Sequence, residues 1–134
     1  MKILFTMTML FLQLSGTNAF AQTDPSKVTD KNYSTEIIRY NVPAVEHASF
    51  EKAYQDAGQY LQASPSCLGY QVIHGNEEPN HYIVIIHWTS QQDHLQLFRK
   101  EKNFQSFFNL VKPFYNNIEE MKHYDPTPNQ WVRK

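Results

Sequence analysis

The sharpest alternation of apolar and polar positions runs from His81 to Trp88, where Tyr82, Val84, Ile86 and Trp88 fall on one face of an extended strand and Ile83 and Ile85 on the other. A second strand-like run, Leu68 to His74, lies just before it, and the polar turn Gly75-Asn76-Glu77-Glu78-Pro79-Asn80 suits a connection between antiparallel neighbours. Upstream, Ser34 to Val42 is rich in β-formers (Ile37, Ile38, Tyr40) and stops at Pro43. Between these strands, Glu46 to Ala63 places Phe50, Tyr54, Ala57 and Leu61 on one helical face, and Ser64-Pro65-Ser66 ends that helix.

Helical spacing returns after Ser90, which predicts an N-cap with Asp93 three residues on. Leu95 and Phe98 are expected to share the inward face, and Phe104, Phe107, Phe108 and Val111 continue it past a break near Lys100-Glu101-Lys102. Pro113 should end or kink this second piece, and Ile118 to Tyr124 reads as a closing strand. The order β-α-β-β-α-β is that of a ferredoxin-like α+β sandwich over residues 34–125, followed by a polar tail at 126–134. Two helices cover only one face of a four-stranded sheet. The face bearing Ile83 and Ile85 therefore calls for a partner, most simply a second copy in a two-fold homodimer.

The start of the chain is of another kind. Lys2, the apolar run Ile3 to Leu14 and the small-x-small pattern Ala19-Phe20-Ala21 predict a signal peptide at 1–21, and hence a periplasmic or secreted protein. The run is too short and too interrupted for a bilayer span of roughly 20 residues, so no membrane association is expected after cleavage. Residues 22–33 are polar and predict a flexible leader. A formal net charge of −1, with both signs scattered, gives no basic surface for nucleic acid. Cys67 is the sole cysteine, so no internal disulfide is available, and it is expected to act as a small buried hydrophobe. His74 and His81 flank the hairpin turn beside Glu77 and Glu78, a weak set that supports adventitious metal binding at most. Phosphate loops and serine-hydrolase elbows are absent.

Several features together resemble the antibiotic biosynthesis monooxygenase family: the element order, Gly69-Tyr70 opening the second strand, the Tyr82…Trp88-Thr89-Ser90 strand end, and the helix with Phe98-Arg99 followed by Phe104 and Phe107. The closing run Val111-Lys112-Pro113-Phe114 and Ile118 to Tyr124 is similar to a bacterial subgroup of that family. The resemblance implies a dimeric α+β barrel with a hydrophobic pocket in each subunit. Some relatives oxidise phenolic polycycles or quinols with neither metal nor flavin, and others bind and degrade haem. The first chemistry requires an electron-rich substrate, a base to form its anion and a dry cavity in which the anion passes an electron to dioxygen.

The family's frequent helix-2 histidine falls approximately at Phe98 in this chain, and His94, one turn upstream on the same face, is the candidate base. Trp88 matches the tryptophan that packs beside the macrocycle in haem-degrading relatives, and Asn41 lies near their strand-1 asparagine. With Phe98 and Phe108 these form the expected substrate-binding set. Each aromatic also has a plain reading as core, and His94 one as a solvated side chain. Two functions follow: a cofactor-independent monooxygenase acting on a small aromatic or quinol-like substrate, with no cofactor, or a non-catalytic module holding haem or another hydrophobic ligand.

Overall fold

The computed structural model describes residues 32–134; the expected signal peptide and most of the leader lie outside them. Four strands, β1 (Ser34–Asn41), β2 (Cys67–His74), β3 (His81–Trp88) and β4 (Ile118–Tyr124), form one sheet in the order β2-β3-β1-β4. Every neighbouring pair is antiparallel. Three helices, α1 (His47–Gln62), α2 (Gln91–Gln96) and α3 (Lys102–Val111), complete a ferredoxin-like β-α-β-β-α-β sandwich. None of the described helices is long and apolar enough to cross a membrane.

The period-2 pattern of β3 is realised without exception: Tyr82, Val84, Ile86 and Trp88 are buried, and the intervening residues are half-buried. Helix α1 covers this face by burying Phe50, Tyr54, Ala57, Gly58 and Leu61. Gly58 permits a close approach, because a Cβ there would sit 2.0 Å from the Tyr70 hydroxyl, which donates to the Tyr54 carbonyl. Thr89 and Ser90 start α2 through their side chains. The Ser90 hydroxyl accepts from the Asp93 amide at 2.9 Å, and Thr89 donates to the Asp93 carboxylate at 2.6 Å.

Helix α2 is only six residues long and passes into a 3-10 turn, Phe98–Lys100, before α3 restarts. This is the break expected near Lys100. Its inward residues, however, are His94 and Phe98; Leu95 is half-buried and Leu97 is 55% exposed. His94 and Phe98 stand four residues apart on one face, so a polar side chain takes the core position that hydrophobic spacing assigned to Leu95. Pro113 opens a 3-10 segment, Lys112–Asn117, that leads into β4. The hairpin histidines do not pair with each other. His74 stacks on Tyr82 at 4.1 Å, whereas His81 meets Glu78 at 2.8 Å and Glu119 at 3.3 Å.

Helices lie on one side of the sheet only. On the other, Ile37, Ile83 and Ile85 are half-buried and Ile73 is exposed, and the strand register makes Ile37 and Ile73 cross-strand partners of Ile85 and Ile83.

Candidate active site

At one end of the core, three inward-facing sheet positions and α2 converge. Glu36 shares the inward face of β1 with Ser34, Ile38 and Tyr40, all of them buried. The register puts His123 of β4 opposite Glu36 and Trp88 of β3 opposite Ser34, diagonal to Glu36. Helix α2 then lays the His94 ring on the Trp88 indole, with centroids 4.2 Å apart and planes within 6° of parallel.

These groups are joined by polar contacts. The Trp88 Nε1–H donates to Glu36 Oε2 at 3.0 Å. The same oxygen lies 3.7 Å from His94 Nδ1, which is 2.8 Å from His123 Nε2. Glu36 is 3% exposed and His94 5%, so an ionisable pair sits where charge is poorly solvated. Burial pushes the Glu36 carboxyl up to about 7, against the pull of the Trp88 hydrogen bond and the nearby Arg99 charge. Burial, then His123 and Arg99, push the His94 imidazole down to about 3. His123 is lowered for related reasons, burial first and Arg99 second. Near neutral pH, the carboxyl is poised to gain or lose a proton while the imidazoles are neutral.

Next to this cluster is a cavity of about 210 Å³ lined by Glu36, Trp88, His94, Phe98, Arg99 and the aromatic face of α3. Tyr40 and Tyr54, which also line it, share a 2.6 Å hydroxyl hydrogen bond. Burial pushes the Tyr40 phenol up to about 12 and Tyr54 well above its ordinary value. Both stay neutral, and the cavity offers hydroxyl groups but one titrating carboxyl. A cavity of about 150 Å³ accommodates a benzene ring, and ordinary ligand pockets run from about 300 Å³. The space here suits a single substituted ring.

The opposed shifts of Glu36 and His94 predict a specific pH signature. A carboxyl raised from 4.5 to about 7 stabilises the fold fully below pH 4.5 and loses that contribution as pH rises through 7. An imidazole lowered from 6.5 to about 3 contributes fully above pH 6.5 and loses it as pH falls through 3. The two slopes therefore oppose each other from about pH 4.5 to 6.5, where the fold keeps on Glu36 the proton that the unfolded chain keeps on His94. Glu36→Gln removes one of them. In metal-stripped protein, the stability of Glu36→Gln relative to wild type should rise by about 1.4 kcal/mol per pH unit from pH 4.5 to 7, then level off. Urea unfolding across this range checks it, and a constant difference would mean that Glu36 is ionised throughout.

Residues 34–110 match the family model described as antibiotic biosynthesis monooxygenase. The chain belongs to that family. Among curated proteins it is 23% identical over 75 residues to the uncharacterised protein YczJ of Bacillus subtilis, covering 56% of this chain and 79% of YczJ. Its fold is shared by a candidate antibiotic biosynthesis monooxygenase from Bordetella bronchiseptica, with TM-score 0.62, 22% identity, and 72% and 99% of the two chains covered. It is also shared by SnoaB, a cofactor-independent oxygenase from Streptomyces nogalater, with TM-score 0.55, 17% identity, and coverage of 77% and 99%.

Within this family fold, His94, Trp88, Phe98 and Phe108 all line the cavity. The Phe98 ring is 1% exposed and packs 4.9 Å from the Trp88 indole. Asn41 lies apart from this group. It is exposed at the end of β1, where its amide donates to Glu119 at 3.2 Å and its carbonyl accepts from Asn117. Glu36 and His123 were not among the candidates from sequence. Glu36 did leave a signal, being the charged residue in phase with Ile38 and Tyr40 on the inward face of β1. His123 was one more polar residue of a short edge strand until the register set it opposite Glu36.

Proposed function

We propose that this protein is a cofactor-independent monooxygenase of small, single-ring aromatic or quinol-like substrates, with Glu36 as its base. The observation that carries this reading is a buried carboxyl that lines an aromatic-walled cavity and is held there by the Trp88 N–H. A carboxyl titrating near 7 accepts a phenolic proton at neutral pH. The neutral His94 ring, pushed down to about 3, is too weak a base for that step. Its place is beside the base, orienting the substrate oxygen. Arg99, on the lining, stabilises the phenolate, and the aromatic wall of α3 and Trp88 packs against the bound ring. The family membership and the fold shared with SnoaB support the reaction class. A cavity of about 210 Å³ disfavours the alternative of a haem carrier, because the macrocycle would require it to open.

Oxygen uptake by the purified protein with a panel of one-, two- and three-ring phenols and quinols tests this. Uptake should be greatest for the single-ring compounds. No uptake on any member, together with a stable visible spectrum on adding haemin, would replace the oxygenase by the binding module.

We also infer that the uncovered sheet face, with Ile37, Ile73, Ile83 and Ile85, is the contact surface of a homodimer. Ile85→Asp should convert the dimer to monomer or aggregate, since a carboxylate sealed in an apolar interface is costly. Light scattering that gives a monomer for both proteins would remove this assembly.

A further inference from the structure

We propose that Glu36, His94 and His123 form a binding site for a single first-row divalent cation of the zinc class. The three come from β1, α2 and β4, and each offers one ligand atom within 4.8 Å of the other two. Ligands about 2.1 Å from a tetrahedral ion stand roughly 3.4 Å apart. The His94–His123 separation of 2.8 Å and the Glu36–His94 separation of 3.7 Å lie on either side of that spacing. Closing the three around one ion requires the His123 ring to move outward and turn so that its Nε2 and the His94 Nδ1 both point at the ion, and His123 is the half-buried member, on an edge strand.

Two of the ligands are already held in place, the carboxylate through the same Oε2 that faces His94. The Trp88 N–H fixes the Glu36 carboxyl and the Trp88 ring plane fixes the His94 imidazole, the kind of outer support that orients metal ligands. The ring nitrogens of His94 and His123 face each other, so one of them must carry a proton for the contact to be a hydrogen bond. An ion would take the place of that proton. Two imidazoles and one carboxylate select zinc, cobalt(II) or iron(II) over calcium and magnesium, which take oxygen ligands, and over copper(I), which takes sulfur.

Glu36 and His94 line the cavity, so a bound ion is reached from the substrate side. It would hold the carboxylate that removes the substrate proton, and occupancy would therefore stop turnover. That consequence rests on the reading of Glu36 as base; the binding does not.

The test is a cobalt(II) titration of metal-stripped protein, read by visible absorption of the ion and by thermal midpoint. It compares wild type with Glu36→Gln, His123→Ala and His123→Gln, and uses His81→Gln as a control for the hairpin cluster. Wild type and His81→Gln should bind one equivalent, develop visible bands and gain thermal stability. Glu36→Gln and both His123 variants should bind at least about 10–100-fold more weakly. Circular dichroism verifies the folds, and His123→Gln preserves side-chain bulk if the alanine variant unfolds. Absence of bands at millimolar cobalt, binding as tight as wild type by the Glu36 or His123 variants, or loss of binding in His81→Gln would overturn the site. Tight binding with oxygen uptake undiminished by zinc would leave the site standing and remove Glu36 as the base.

Discussion

Glu36→Gln should lower turnover by about 10²–10⁴-fold, the usual scale for losing a positioned general base, while the domain stays folded. The amide is nearly isosteric, and its oxygen can still accept the Trp88 N–H bond made at 3.0 Å. What disappears is the ability to take up a proton beside the cavity. The variant should be the more stable protein above pH 7, because it no longer buries a charge in a site 3% exposed. Lower activity with higher stability is hard to obtain by damage, so the pair of measurements separates chemistry from packing. Steady-state oxygen uptake and urea unfolding on the same preparation supply both. Wild-type turnover in Glu36→Gln, with a large loss in His94→Ala, would return the base to His94.

Trp88→Ala should cost about 3–5 kcal/mol of stability, a large part of the roughly 5–15 kcal/mol available to a domain of this size. The indole is 0% exposed and lies between the sheet and the α2–α3 region, 4.2 Å from the His94 ring and 4.9 Å from the Phe98 ring. Its removal empties a core position, strips the Glu36 carboxyl of its donor and leaves His94 without a stacking surface. Trp88→Phe divides these effects: it keeps most of the apolar contact and loses the N–H. Because that hydrogen bond pulls the Glu36 carboxyl downward, its loss should raise the carboxyl further. The acid limb of the turnover profile should then move to higher pH. An unchanged profile in a folded Trp88→Phe protein would show that the indole acts through packing alone.

The element order was legible from the sequence because the strands and helices here follow the two elementary periods closely. Strand β3 keeps strict alternation, and the Phe50, Tyr54, Ala57 and Leu61 face of α1 is buried as its spacing required. The lining of the cavity was legible only in its aromatic half. Trp88, Phe98 and Phe108 announce themselves by type, and His94 by its place one turn before Phe98. Glu36 and His123 are 87 positions apart and meet only through the β1–β4 register, which local periodicity does not specify. Asn41 shows the converse. A position inferred by family likeness fell at the outer end of β1, where the inward and outward alternation turns it toward solvent.

The parallel stack of Trp88 on His94 has an optical consequence. The chain has two tryptophans: Trp88, fully buried against the cavity, and Trp131, 76% exposed in the tail. Replacing Trp131 by Phe would leave a single tryptophan, excited selectively over the tyrosines at long wavelength, whose indole meets the His94 imidazole, the Glu36 carboxyl and the cavity at once. Its emission should be blue-shifted relative to that of a solvated indole. Its intensity should respond to an aromatic guest entering the cavity, to a proton moving on Glu36, or to an ion drawing the three ligands together. The protein thus carries its own spectroscopic gauge at the place where its chemistry is proposed to occur.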